Sequence, residues 1–208
     1  MGLTAAANGE VRSPAGIILP RTFETFDAPG DGAVYAIDQS WTTLVGSFSR
    51  VSDTAEVQSS GNNEALGRMN LDLGSPNHFI EALITQTGNP GGTFSTCGLI
   101  VRKDSSATRT FYMIEIANNI SPGVVGAYKC VGGSYTGLTG TGHATPHLTE
   151  PFWIRAEVEG SALRLYQDGV LLWSGSDGSI AGGSYVGLRS FRNSDPKTRY
   201  AHVAAGPL

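Results

Sequence analysis

Two cysteines in 208 residues exclude a disulfide framework. Neither Cys97 nor Cys130 sits in a CxxC or histidine-spaced cluster, so both read as small buried apolar residues. Charge is scarce as well, with Asp, Glu, Lys and Arg at only 15%. Long amphipathic helices carry a charged outer face, so a mainly helical protein is excluded. The net charge of −4 comes with no cluster of Lys and Arg, which excludes a phosphate-reading surface and hence a nucleic-acid partner. No run of 18 apolar residues is present, so no helical membrane span is expected. Phosphate loop, dinucleotide fingerprint and nucleophile elbow are all missing, and no cofactor is expected. Met1 to Pro20 lacks the basic start and apolar run of a secretory signal. Ala6 stands where a myristoylation pattern after Gly2 needs Ser or Thr. The expectation is a protein made in a cytoplasm, or exported as part of something larger.

What the chain does have is glycine, 28 residues of it. Glycine supplies the positive φ of tight turns, so many short strands are expected. Residues 1–20, rich in Ala, Gly and Pro, read as an arm or linker: either a tail without order or a segment that orders against a neighbouring subunit. From Arg21 onward the pattern alternates. Strands are expected at Arg21–Phe26, Ser47–Val51, Ala55–Gln58 and Asn77–Thr87, with a turn cluster at Asp27–Gly32. Cys97–Lys103, Thr110–Ala117 and Val124–Val131 read as a three-stranded meander. Phe152–Gly160 and Ala162–Trp173 follow, then Gly183–Phe191 and Thr198–Ala205. The whole is all-β, a two-sheet antiparallel sandwich.

Period two assigns the faces. Taking each charge as outward puts Arg102, Glu115 and Lys129 out. Cys97, Leu99, Val101, Tyr112, Ile114, Ile116, Tyr128 and Cys130 then face in. Cys97 opens the first meander strand and Cys130 closes the third, too far apart to bond. Asp168-Gly169 between two β runs is a type I′ hairpin signal. Pairing outward from it places Leu165 opposite Leu172 in the core. Tyr166 then lies opposite Leu171, and Arg164 opposite Trp173, on the outer face. Phe152, Ile154, Ala156 and Val158 face in, and Trp153, Arg155 and Glu157 out.

Three segments carry a family likeness: Arg155-Ala-Glu-Val-Glu-Gly160, Leu163-Arg-Leu-Tyr-Gln-Asp-Gly-Val-Leu171, and Gly182-Gly-Ser-Tyr-Val-Gly-Leu-Arg189. Gly98-Leu-Ile-Val-Arg102, Phe111-Tyr-Met-Ile114 and Tyr128-Lys129 before Gly132-Gly133 extend it. Residues 21–208 thus resemble the concanavalin A-like, laminin-G-like jelly roll, of the kind found in bacteriophage minor tail and other virion proteins. The chain departs from it at its last strand, where Tyr200-Ala-His-Val-Ala replaces an Asp-Asn-Phe-like ending. The resemblance implies an extracellular or virion role, with glycan binding or packing against other tail proteins.

Residues for chemistry are few. Glu157 and Glu159 share a strand face, the spacing that paired-carboxylate glycoside cleavage needs, but they read as a solvated face. His143 and His147 lie in a Gly/Pro loop without helical metal-site geometry. Asp27, Asp31 and Asp38 match no calcium loop, so no metal is expected. Two surface groups are candidate ligand or interface sites. One is the ladder Arg164, Tyr166, Leu171 and Trp173, where aromatics beside an Arg suit a sugar ring or a protein contact. The other is Arg102, Met113, Glu115 and Lys129 across the middle sheet. The expected function is a non-catalytic virion structural protein, in an oligomeric assembly made through the arm and outer sheet face. A face for host-surface glycan goes with it. A stand-alone carbohydrate-binding module is the alternative, and a glycan-cleaving enzyme stands last.

Overall fold

The computed structural model describes residues 41–46, 63–86, 95–117, 123–138, 149–192 and 198–208, together with strands at 11–12, 18–19, 22–25, 48–51 and 54–57. In chain order the first strands are β1 (Val11–Arg12), β2 (Ile18–Leu19), β3 (Thr22–Thr25), β4 (Trp41–Val45), β5 (Phe48–Val51) and β6 (Thr54–Val57). Next come β7 (Asn63–Met69), β8 (His78–Gln86), β9 (Ser95–Lys103), β10 (Phe111–Ala117), β11 (Val124–Val131) and β12 (Ser134–Gly137). The last are β13 (Phe152–Glu159), β14 (Ala162–Gln167), β15 (Val170–Ser176), β16 (Tyr185–Arg192) and β17 (Arg199–Pro207). No helix occurs among the described residues.

Two antiparallel sheets stack as a concanavalin A-like jelly roll. A seven-stranded sheet runs β12-β11-β10-β9-β16-β7-β4, and an eight-stranded sheet runs β15-β14-β13-β8-β17-β6-β5 with β3 beside β17. The expected meander is β9-β10-β11, in register Leu99↔Ile114↔Ala127. The expected strands are all present, while β4, β7 and β12 had no clear alternation to announce them. Of the 1–20 arm, only the β1–β2 ladder is described; the rest of it, and the Asp27–Gly32 turn, lie outside the described residues.

Alternation fills the space between the sheets. Leu99, Val101, Tyr112, Ile114, Ile116 and Leu188 come from one sheet, and Ile80, Ala82, Ile154, Val158, Leu165 and Val203 from the other, all buried. The Asp168-Gly169 turn has φ of +47° and +81°, the left-handed pair that type I′ requires. The Asp168 carboxylate also accepts from Trp153 N–H at 2.9 Å, which ties the turn to β13.

Three face assignments are corrected. Trp173 is not outward: a bulge between Leu165 and Tyr166 sets Trp173 opposite Leu165 and Ser174 opposite Arg164. One extra residue flips the following side chains, so the indole is buried in the main core with Leu172 packed against it. Arg102 is not outward either. Its φ is +53°, breaking the alternation at the end of β9. The side chain turns inward and donates to Pro76 O at 3.1 Å, Ile180 O at 2.9 Å and Gly160 O. Lys129 pairs with Tyr112, on the core side of β11, and reaches Asp177 at 3.3 Å from the rim. A Lys stem can lie along apolar surface while its ammonium finds water or a carboxylate, so a charge near a strand end is a poor marker of face. Tyr128 and Cys130 are therefore outward. They join Leu66, Ile100, Phe111 and Met113 in a second apolar cluster on the outer face of the seven-stranded sheet. Cys97 lies in the main core, so the two free thiols occupy opposite faces of one sheet.

Candidate functional site

One cross-strand row on that outer face reads Gly126–Glu115–Gly98–Arg189–Leu66, from β11, β10, β9, β16 and β7. Glycine stands on both sides of Glu115. A Cβ at Gly98 would lie 3.2 Å from Glu115 Cβ and from Arg189 O, and one at Gly126 would meet the Tyr128 ring at 2.8 Å. Without side chains there, Glu115, Arg189 and the Tyr128 ring lie close against the sheet, and beside them is a cleft of about 230 Å³ lined by Met113, Glu115, Tyr128, Tyr135, Arg189 and Phe191.

Its floor is an ion-pair network. Arg189 donates through Nε to Glu64 at 3.1 Å, and through Nη1 to Thr96 Oγ1 at 2.8 Å and to Glu115. Arg109 Nη1 reaches the second Glu64 oxygen at 3.4 Å. Tyr135 O–H donates to Glu64 as well. Burial pushes Glu115 above the usual carboxylate range, against the pull of Arg189. Burial pulls Arg189 down, but Glu115 and Glu64 more than offset it and raise the guanidinium. Burial, then the bond to Glu64, pushes Tyr135 well up. Burial and the neighbouring Glu115 raise Tyr128.

The walls are aromatic. Tyr128 and Tyr135 meet edge to face, with centroids 6.4 Å apart at 87°. Arg189 lies over Phe191 at 5.2 Å, and Arg109 over Tyr135 at 5.9 Å. Flat π faces beside fixed hydrogen-bonding groups suit a ring that is apolar on its faces and polar on its edges.

The outer face of the eight-stranded sheet is built otherwise. Arg155 sits 3.7 Å over the Phe79 ring, with Glu157 at 2.7 Å and Glu81 at 3.4 Å. Arg164 adds contacts to Glu159 at 3.1 Å and Glu157 at 3.6 Å. Trp153 lies on this face as expected, yet is buried, stacked on His202 at 6.5 Å. Between them is a smaller hollow of about 170 Å³ beside Trp153, Tyr166 and the Asp168-Gly169 turn. Val170 and Leu171 project from the turn, 64% and 49% exposed.

The sequence-based sites therefore divide. Met113 and Glu115 line the cleft; Arg102 and Lys129 of the same group do not. Arg164, Tyr166 and Leu171 share the other outer face, without Trp173. Glu64, Tyr128, Tyr135, Arg189 and Phe191 were missed. Their one sequence signal is the Arg-x-Phe alternation of β16. Among the described residues no group of three His, Cys, Asp or Glu is placed to hold a metal. His143, His147, Asp27, Asp31 and Asp38 lie outside the described residues.

No protein-family model and no curated protein sequence matches the chain. Solved structures do. A carbohydrate-binding module, CBM66 from Bacillus subtilis, aligns with TM-score 0.57 at 18% identity, covering 81% of this chain and 92% of the other. The CBM2 module of the evolved Dit of Lactobacillus casei BL23 phage J-1 aligns with TM-score 0.58 at 8% identity, covering 88% and 93%. A β-1,3-glucanase from Mycobacterium marinum aligns with TM-score 0.55 at 14% identity, covering 88% and 97%. At such identities the shared property is the fold, which hosts binding modules and an enzyme alike.

Proposed function

We propose that this protein is a non-catalytic carbohydrate-binding sandwich carried in a virion, with the cleft over Glu115 and Arg189 as its sugar site. The carrying observation is the glycine-recessed row: a preformed hollow with aromatic walls and a hydrogen-bonding floor already locked by Glu64, Thr96 and Glu115. Such a site pre-organises its polar groups before a ligand arrives. The likeness to a carbohydrate-binding module and to a module of a phage Dit supports the reading. Glu64 and Glu115 both serve Arg189, an arrangement for holding a floor in place and not for releasing protons to a leaving group. In the virion setting, residues 21–208 form the sandwich. Residues 1–20 form an arm to neighbouring proteins, aided by the exposed Val170–Leu171 tip.

The test is a glycan array read with the full chain beside Tyr128→Ala and Tyr166→Ala. Binding that Tyr128→Ala abolishes and Tyr166→Ala leaves intact is expected; the opposite pattern would move the site to the other sheet. Reducing-sugar release from any bound polysaccharide would overturn the non-catalytic part. Light scattering on the full chain and on a chain lacking residues 1–20 addresses assembly: a monomer in both cases counts against the arm.

A further inference from the structure

The cleft holds charges but leaves none unmatched. The titratable groups lining it are Glu115, Arg189, Tyr128 and Tyr135, with Glu64 bonded to Arg189 and Tyr135, and Arg109 bonded to Glu64. Arg189 bonds both carboxylates, and Arg109 spends Nη1 on Glu64 and Nη2 on Gly133 O at 2.8 Å. The donors left over are Arg189 Nη2, Arg109 Nε and the Tyr128 hydroxyl, none of which makes a hydrogen bond among the described residues; of the three residues, Arg189 and Tyr128 line the cleft.

We propose that the cleft selects neutral hexoses and rejects the matching uronates, an inference that rests on the carbohydrate reading of the cleft. A sugar hydroxyl can accept from Arg189 Nη2 and Tyr128 while a ring face lies on an aromatic wall. A ligand carboxylate in the same place would meet Glu115 and Glu64 as like charges. To hold Arg189 bidentately, through Nη1 as well as the free Nη2, it must displace Glu115, whose side chain is 4% exposed, and leave that carboxylate buried and unpaired. Discrimination comes from this repulsive element: two carboxylates already balance the two guanidiniums of the floor, so a ligand carboxylate adds an uncompensated charge.

Matched pairs of methyl glycosides isolate the effect: glucoside against glucuronide, galactoside against galacturonide, mannoside against mannuronide. Each pair differs only by CH₂OH against carboxylate. Saturation-transfer NMR and calorimetry on the full chain at pH 7 are expected to show at least one neutral member binding and its uronate weaker by about tenfold or more. In Glu115→Gln, where Glu64 alone remains against two arginines, the uronate-to-neutral ratio is expected to rise by about fivefold or more. Glu64→Gln is expected to act in the same direction and serves if Glu115→Gln fails to melt cooperatively; if neither variant folds, the wild-type ratio decides. A uronate that binds wild type as tightly as its neutral partner overturns the inference and leaves the sugar site standing. An unchanged ratio in a folded variant also overturns it. Binding of neither member of any pair overturns the carbohydrate reading and this inference with it.

Discussion

The two outer faces of the sandwich are made of the same kinds of residue and end up as different surfaces. On the eight-stranded sheet the row Glu81–Arg155–Tyr166–Leu171 has a full side chain at every step. Arg155 lies over Phe79, and the hollow beside it, about 170 Å³, is the smaller of the two. On the seven-stranded sheet the row Gly126–Glu115–Gly98–Arg189 alternates glycine with charge, and the charges sink to the floor of a cleft. Arginine, glutamate and aromatic rings are therefore not what marks the candidate site. What marks it is the pair of glycines that lets Glu115, Arg189 and the Tyr128 ring lie close against the sheet, with the larger cleft beside them.

The sharpest way to break this comparison is through Trp173. If the bulge is right, Trp173→Ala empties a buried site and is expected to cost about 3–5 kcal/mol in urea unfolding. Tyr166→Ala, on the outer face of the same hairpin, should cost about 1 kcal/mol or less, as surface changes do. Equal effects would restore the unbulged register and put the indole outside.

The ion pairs of the two faces should also separate. Arg189→Met leaves the enclosed Glu115 without its cation and Glu64 with Arg109 alone, and a loss of about 3–5 kcal/mol is expected. Adding Glu115→Gln to that variant should return part of the loss. Arg164, 31% exposed in its side chain, is expected to give about 1 kcal/mol or less when changed to Ala.

His78 tests the rim where the two sheets are tied. Its Nε2 accepts from Arg102 N–H at 3.0 Å and its Nδ1 donates to Ser75 O at 2.8 Å, so the ring is neutral. Burial pulls its pKa down to about 4. The unfolded chain takes up this proton near pH 6.5 and the folded chain only near pH 4, so stability falls as pH falls through that window. Wild type is expected to lose up to ~3 kcal/mol more than His78→Gln between those limits. Parallel curves for the two proteins would remove His78 from the account.

The smallest change aims at the glycine row itself. A methyl at Gly126 points at the Tyr128 ring, which can swing, so Gly126→Ala should cost only about 1 kcal/mol in stability. Sugar binding should nonetheless be lost, because the ring then occupies the cleft. Retained binding would show that the recess is not the site.

How much of this was legible depends on how local each signal is. The Asp168-Gly169 turn fixes its own φ angles, and Cys97, Leu99 and Val101 alternate on a regular strand, so both read correctly from the chain. Tyr128 and Cys130 did not. Their face was inferred from Lys129, and that lysine lies on the core side near a rim where Asp177 receives it. Trp173 failed for a second local reason, since nothing in Val170–Ser176 announces a bulge.

The amino-acid order alone determined the all-β class, most of the strand positions, the Asp168-Gly169 hairpin and most of the core. Those follow from period two and from turn residues that act within a few positions of themselves. Only the folded chain decided that Gly98, Glu115, Gly126 and Arg189 stand in one row, as residues up to 91 positions apart in the sequence. Register between distant strands is settled by packing across the whole sandwich, and a slip of one residue turns every side chain to the other face.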